Sequence, residues 1–177
     1  MREENKNKLS MTIQELIQDL EKNVYCRLNR SSVEGIGVVA IRDIPKGTNI
    51  FTGVKKNRWK SIPVDAVLRN KKIIKEVKEM ILSFYAVEAG VIYFPDQSLN
   101  ELDISFYLNH SDTPNVEFVE KSDIFITARS IKKGEELFAD YRTYSDEYMP
   151  SADANGIITR EWHGMRNRKN REETARA

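Results

Sequence analysis

The sequence predicts a mainly β domain with inserted and flanking helices, and three observations carry that prediction. A thirteen-residue pattern occurs twice: Val39 to Phe51 (Val-Ala-Ile-Arg-Asp-Ile-Pro-Lys-Gly-Thr-Asn-Ile-Phe) lines up with Ile126 to Phe138 at a constant offset of 87 residues. Each copy reads as strand, Lys-Gly turn, strand, because glycine supplies the positive φ that such turns often need. Other β-branched and aromatic runs are short and punctuated by turn residues. Helical periodicity, by contrast, is confined to two stretches. Two copies do not make a solenoid; they bracket a middle segment and predict two related corners of one domain.

In chain order, the first element is a helix over about Thr12 to Asn23. Ile13, Leu16, Ile17 and Leu20 fall at helical spacing, and Thr12 with Glu15 makes a capping box. Gly35-Ile36-Gly37 then punctuates the chain before a β-branched strand that runs to Ile41. A second helix is expected between about Val64 and Phe84. There Val67, Leu68, Ile73, Ile74, Val77, Met80, Ile81 and Phe84 mark an apolar face, with lysines opposite. Strands are expected at Val91 to Phe94, Val116 to Val119 and Ile124 to Ala128. From Asn155 onward the chain is polar, rich in arginine and glutamate, and reads as a solvated charged segment.

Composition removes several classes of function. At 177 residues and 40% apolar, the chain suits one domain with modest extras. Lys+Arg is 28 against 27 Asp+Glu, so a polybasic protein that binds nucleic acid stably through phosphates is not expected. A single cysteine, Cys26, excludes an internal disulfide, and with only His110 and His163 beside it no Cys/His zinc centre is expected. The N-terminus lacks the apolar core of a signal peptide. No run of about 18 apolar residues occurs that would cross a membrane. An intracellular, cytoplasmic protein is the expectation.

Three segments hold the residue types that carry chemistry: Glu34-Gly35-Ile36-Gly37, Phe106-Tyr107-Leu108-Asn109-His110-Ser111-Asp112-Thr113-Pro114-Asn115, and Gly134-Glu135-Glu136-Leu137-Phe138-Ala139-Asp140-Tyr141. Singly, each has a plain structural explanation. The Gly-x-Gly is a tight turn without the rest of a dinucleotide fingerprint, and the second segment has the composition of a turn. Adjacent His110, Ser111 and Asp112 do not make a catalytic triad, whose members converge from separate segments.

Taken together in this order and spacing, the three segments resemble the SET-domain protein lysine methyltransferases. The resemblance runs from about Ser32 to Tyr144 and includes both copies of the Ile-Arg/Ala-Arg…Lys-Gly pattern. The family's usual cysteine after Asn-His-Ser is Asp112 here, and the cysteine-rich flanking modules are missing, so the likeness is to a minimal, zinc-free member. It implies the SET (β-clip) fold of short sheets with a knot-like C-terminal crossing. Residues 1–30 would be a helical extension, 31–144 the SET domain and 145–177 a C-terminal segment.

The resemblance also implies S-adenosylmethionine as cofactor and a protein or peptide lysine as substrate. Glu34, Gly35, Ile36 and Gly37 would hold the amino-acid end of the cofactor through the backbone. Asn109 would contact it through its amide and His110 through its backbone. Trp162 would close the adenine pocket, with Tyr144 and Tyr148 as competitors. Tyr141 would be the catalytic tyrosine, and Tyr85, Phe118 and Ala139 would line the lysine channel. Two other readings stay open: a SET-type binding module without turnover, and transfer to another nucleophile such as histidine.

Overall fold

A computed structural model describes residues 11–33, 35–53 and 59–145, with backbone alone at 151–152 and 158–159. In chain order the elements are α1 (Ile13–Lys22), β1 (Cys26–Arg30), β2 (Ile36–Ala40), β3 (Trp59–Pro63), α2 (Val64–Leu68), α3 (Lys75–Phe84), β4 (Val87–Glu88), β5 (Val91–Pro95), β6 (Asn109–His110), β7 (Val116–Val119), β8 (Ile124–Thr127), β9 (Glu136–Ala139), β10 (Ser151–Ala152) and β11 (Ile158–Thr159). They divide between two compact units, Met1–Lys55 with Asp103–Ala139, and Lys56–Leu102 with Asp140–Ala177. This is the expected class, small sheets with a few helices.

The first unit is a four-stranded sheet in the order β1-β2-β9-β6, joined by the β7–β8 hairpin. β1, β2 and β9 run antiparallel, while β6 lies parallel to β9. The expected capping box of α1 is present: the Thr12 side chain accepts from the Glu15 amide, and the Glu15 side chain reaches back to the Thr12 amide. β7 has the expected bounds, and β8 stops one residue short of its expected end.

The two copies of the repeat do not fold back on themselves as hairpins. They pair with each other, residue for equivalent residue. Ile44 and Ile131 exchange both backbone hydrogen bonds, at 2.8 and 2.9 Å. Gly47 donates to the Thr127 carbonyl and its counterpart Gly134 donates to the Ala40 carbonyl, at 2.8 and 2.9 Å. Ala40 donates to Glu135 while Thr127 donates to Thr48. Val39 pairs with Glu136 as Ile126 pairs with Asn49. The result is a local two-fold relation centred on the Ile44–Ile131 bridge. Gly47 and Gly134 have φ of +78° and +92°, the left-handed conformation that disfavours any residue with a Cβ. Val38, Ile44, Ile50, Val116, Ile131 and Leu137 are among the buried apolar side chains of this unit.

In the second unit β5 sits between β3 and β4, antiparallel to both. The single helix expected over Val64 to Phe84 is instead two, α2 and α3. The break has a local cause. The Asn70 side chain accepts from the Lys72 amide at 2.9 Å, an Asx turn that competes with the helical ladder. Ile74 then takes an extended conformation (φ −68°, ψ 158°) before α3 starts. Val67, Ile81, Leu82, Tyr85, Val87 and Ile92 are among the buried side chains of this unit. Ser145 closes β4 by accepting from the Val87 amide and donating to its carbonyl, both at 3.1 Å.

Candidate functional site

The pairing of β6 with β9 brings two of the three sequence motifs into one sheet. Asn109 stands beside Phe138 and His110 beside Ala139 in parallel register, and the Ser111 amide donates to the Ala139 carbonyl at 3.0 Å. On the other edge of β9, β2 carries the Gly-x-Gly segment, with Val38 opposite Leu137. One short strand therefore holds the glycine loop on one side and the Asn-His segment on the other.

Asn115 locks this arrangement from outside the ladder. Its side chain is 4% exposed; the amide nitrogen donates to the Glu136 carbonyl and the amide oxygen accepts from the Phe138 amide, both at 2.8 Å. A side-chain amide presents the same donor–acceptor pair as a peptide group. Asn115 thus acts as one more residue of a strand against β9.

The centre of the site is a carboxylate that motif reading left unassigned. Glu136 accepts from the Ser31 hydroxyl at 2.7 Å, the Ser32 amide at 3.0 Å, the Ser32 hydroxyl at 2.8 Å and the Asn109 amide at 3.2 Å. Burial is the largest single influence on this carboxyl and opposes its charge. The bonds from Ser32, Ser31 and Asn109 outweigh it together and hold the pKa below the ordinary value. The Asn109 amide nitrogen also reaches the Ser31 hydroxyl at 3.0 Å and the Ile36 carbonyl at 3.3 Å. Gly37 has no room for a side chain while Glu136 keeps these bonds. A Cβ there would lie far inside contact distance of Glu136 Oε1 and 3.1 Å from Asn109 Nδ2.

Gly35 differs: its φ is +55°, and a Cβ would meet nothing within 4 Å. Gly35 and Ile36 are exposed, Ile36 at 53%, whereas Gly37 is buried within the β1–β2 pairing. Beside the glycine segment stand donors (the Ser31 and Ser32 hydroxyls and the Asn109 amide) and acceptors (the Ile36 carbonyl and the Glu136 carboxylate), polar groups of both senses that a small zwitterion can meet. His110 is half-buried, with Nε2 3.8 Å from Asp112 Oδ1, beyond hydrogen-bond length. Among the described residues, no group of three or more His, Cys, Asp and Glu side chains could hold a metal ion.

The expected channel residues fall in both units. In the first, Phe118 on β7 packs its ring against Phe125 at 5.2 Å, and Phe51 meets Phe125 edge-on at 6.1 Å. Ala139 at the end of β9 is 1% exposed. In the second, Tyr141 opens a single 3-10 turn capped by Asp140, whose carboxylate accepts from the Arg142 amide and guanidinium. Tyr141 stacks at a tilt on Tyr144, ring centres 5.9 Å apart. Burial, and after it the nearby Tyr141 and Asp140, push the Tyr144 hydroxyl pKa well above its ordinary value. Tyr85 is 5% exposed and edge-on to Phe94 at 5.0 Å; burial raises its pKa too. Neither phenol suits a base near neutral pH. Glu34, Tyr148 and Trp162 lie outside the described residues.

The chain is 34% identical over 128 residues to human histone-lysine N-methyltransferase 2D, a match that takes in 69% of this chain and 2% of that protein. It is 30% identical over 137 residues to the Drosophila melanogaster histone-lysine N-methyltransferase trr, covering 71% of this chain and 5% of the relative. The chain thus corresponds to a small fraction of either relative's length. A crystal structure of a candidate histone methyltransferase from Plasmodium falciparum aligns with a TM-score of 0.41 at 21% identity, covering 67% of this chain and 93% of that one. Residues 35–142, more than half the chain, match the model of the SET domain, and the chain belongs to the SET-domain family.

Proposed function

We propose that this chain transfers a methyl group from S-adenosylmethionine to the side-chain amine of a lysine in a protein substrate, with 31–144 as the catalytic domain and 1–30 and 145–177 flanking it. The observation that carries the reading is the joint held by β9: the glycine segment on one side, the Asn109 amide on the other, and Glu136 bonding Asn109, Ser31 and Ser32 beside them. Bound there, the cofactor would supply an electrophilic methyl group on a sulfonium. The backbone at Gly35, Ile36 and Gly37 and the Asn109 amide are the groups to hold its amino-acid end, with His110 contributing backbone. Histone-lysine methyltransferase relatives support a protein lysine as the acceptor.

The lysine must arrive neutral, and free lysine has a pKa of about 10.4, so its channel has to desolvate it. Phe118, Ala139 and Tyr85 are the residues proposed to line that channel. Tyr141 is proposed to align the amine lone pair through its hydroxyl, a role in orientation rather than base catalysis.

The test is transfer of labelled methyl groups to candidate proteins, for the parent chain beside Tyr141→Phe. The substitution keeps the ring and removes the hydroxyl, so turnover at saturating cofactor should fall by about 10²–10³, as for other single positioned donors, while cofactor affinity by calorimetry barely moves. Near-parental turnover in the variant would make Tyr141 structural. Failure of the parent to bind S-adenosylmethionine would end the enzyme reading.

A further inference from the structure

The chemistry of a carboxylate bears on which way the Asn109 amide faces. An ionised carboxylate only accepts hydrogen bonds, whereas an amide has a donating and an accepting end. Among the described residues, three acceptors surround the Asn109 nitrogen: Glu136 Oε1 at 3.2 Å, Ser31 Oγ at 3.0 Å and the Ile36 carbonyl at 3.3 Å. The Ser31 hydroxyl spends its one hydrogen on Glu136 and takes a further bond from the Val33 amide, so toward Asn109 it too is an acceptor. Glu136 therefore fixes the sense of Ser31, and both fix the sense of Asn109. Turned over, Asn109 would set its carbonyl oxygen against three acceptors, a repulsive arrangement.

We infer that Glu136 is a positioning residue for cofactor binding, acting both directly and through Ser31 to hold the Asn109 amide with its nitrogen toward the Ile36 carbonyl and its oxygen on the opposite side. The inference rests on the proposed S-adenosylmethionine site. A ligand ammonium or N–H group meets an acceptor from Asn109 only while that sense is kept. Replacing Glu136 by the isosteric glutamine supplies a donor where only an acceptor stood, which lets both Ser31 and Asn109 reverse. Ser31→Ala removes the relayed contact and leaves the carboxylate with its direct bond to Asn109, so its effect should be the smaller one.

The experiment measures S-adenosylmethionine affinity by calorimetry, and cofactor KM against kcat, for the parent, Glu136→Gln and Ser31→Ala at a temperature where circular dichroism shows each folded. Alongside, the Asn109 side-chain NH2 resonances of the cofactor-free proteins are followed by NMR, assigned by their disappearance in Asn109→Ala. The expected result is about tenfold or greater weakening of affinity for Glu136→Gln, and a smaller loss for Ser31→Ala. KM rises in step, kcat falls by less than about threefold, and the Asn109 NH2 signals move in both variants. Folded variants with parental affinity and unmoved NH2 signals would overturn the assignment and leave Glu136 a purely structural residue. If the parent binds no S-adenosylmethionine, the functional reading fails by itself, and the Asn109 signals still decide whether Glu136 and Ser31 set the amide. Should Glu136→Gln not fold, Ser31→Ala decides alone.

Discussion

Gly35 and Gly37 are two residues apart and are glycines for different physical reasons. At Gly37 the space is full: Glu136 and Asn109 occupy the place of a side chain. Gly37→Ala should therefore push the Glu136 carboxylate out of its bonds and destabilise the fold by about 1–3 kcal/mol, the usual cost of overpacking. At Gly35 the space is open and the backbone is left-handed. Gly35→Ala should cost about 1–2 kcal/mol through φ alone. Denaturant unfolding of both variants, with the Asn109 NH2 signals as a marker, separates the causes: only Gly37→Ala should disturb them. Glu136 also predicts a pH dependence. Its folded pKa lies below the ordinary value near 4.5, so its stabilisation is fully present above that value and is lost as pH falls through the lower folded pKa. Urea midpoints taken from pH 6 down to 3 should drop further for the parent than for Glu136→Gln. Equal drops would mean that the carboxylate is unperturbed by folding. The importance of Glu136 was hidden in the sequence beside Glu135. Strand alternation is what separates them: Leu137 and Ala139 turn into the core, Glu136 takes the other face, and Glu135 pairs with Arg129 instead.

Among the elements, β9 is the one on which the site depends, and it is only four residues long. Such a strand has little ladder of its own, so the two bonds from the buried Asn115 side chain matter. Asn115→Ala would leave the Glu136 carbonyl and Phe138 amide without these partners and should cost about 3 kcal/mol, read from thermal or denaturant unfolding. A loss below about 1 kcal/mol would show that water replaces them. Element by element, legibility in the sequence followed how local the determinants are. The capping box at Thr12 and Glu15 and the β-branched run of β7 are decided within a few residues, and both were legible. The interruption between α2 and α3 was also local, but it turns on the Asn70 side chain bonding its own backbone, which apolar periodicity does not register. The repeat itself was visible in the residues. That each copy pairs with the other rather than with itself was not, because isolated hairpin and cross-copy pairings bury the same alternating residues.

For the molecule as a whole, the two-fold relation makes Ile44 and Ile131 equivalent in environment as well as in sequence. Each is 1% exposed, and each exchanges its backbone bonds with the other. Ile44→Ala and Ile131→Ala should therefore destabilise by similar amounts, within the 2–5 kcal/mol typical of buried isoleucine truncation. Urea unfolding of the two variants tests this. A difference above about 2 kcal/mol would mean that the backbone symmetry does not extend to the packing around it.

That same pairing sets the order in which the chain can be built. Ile44 and Ile131 are 87 residues apart, and closing a loop of that length costs about 2 kcal/mol more than closing a ten-residue hairpin. At roughly 5–20 residues per second, synthesis needs on the order of 4–17 s to cover the interval. Throughout it, Ala40, Ile44 and Gly47 of a nascent chain have no cross-copy partners, and the first copy is an open strand edge awaiting its mate. The Gly-x-Gly segment, already translated by then, gains its neighbour on β9 only when the second copy arrives. The glycine loop and Asn109 are thus among the last features to be assembled, because both are held by a strand that is made after them.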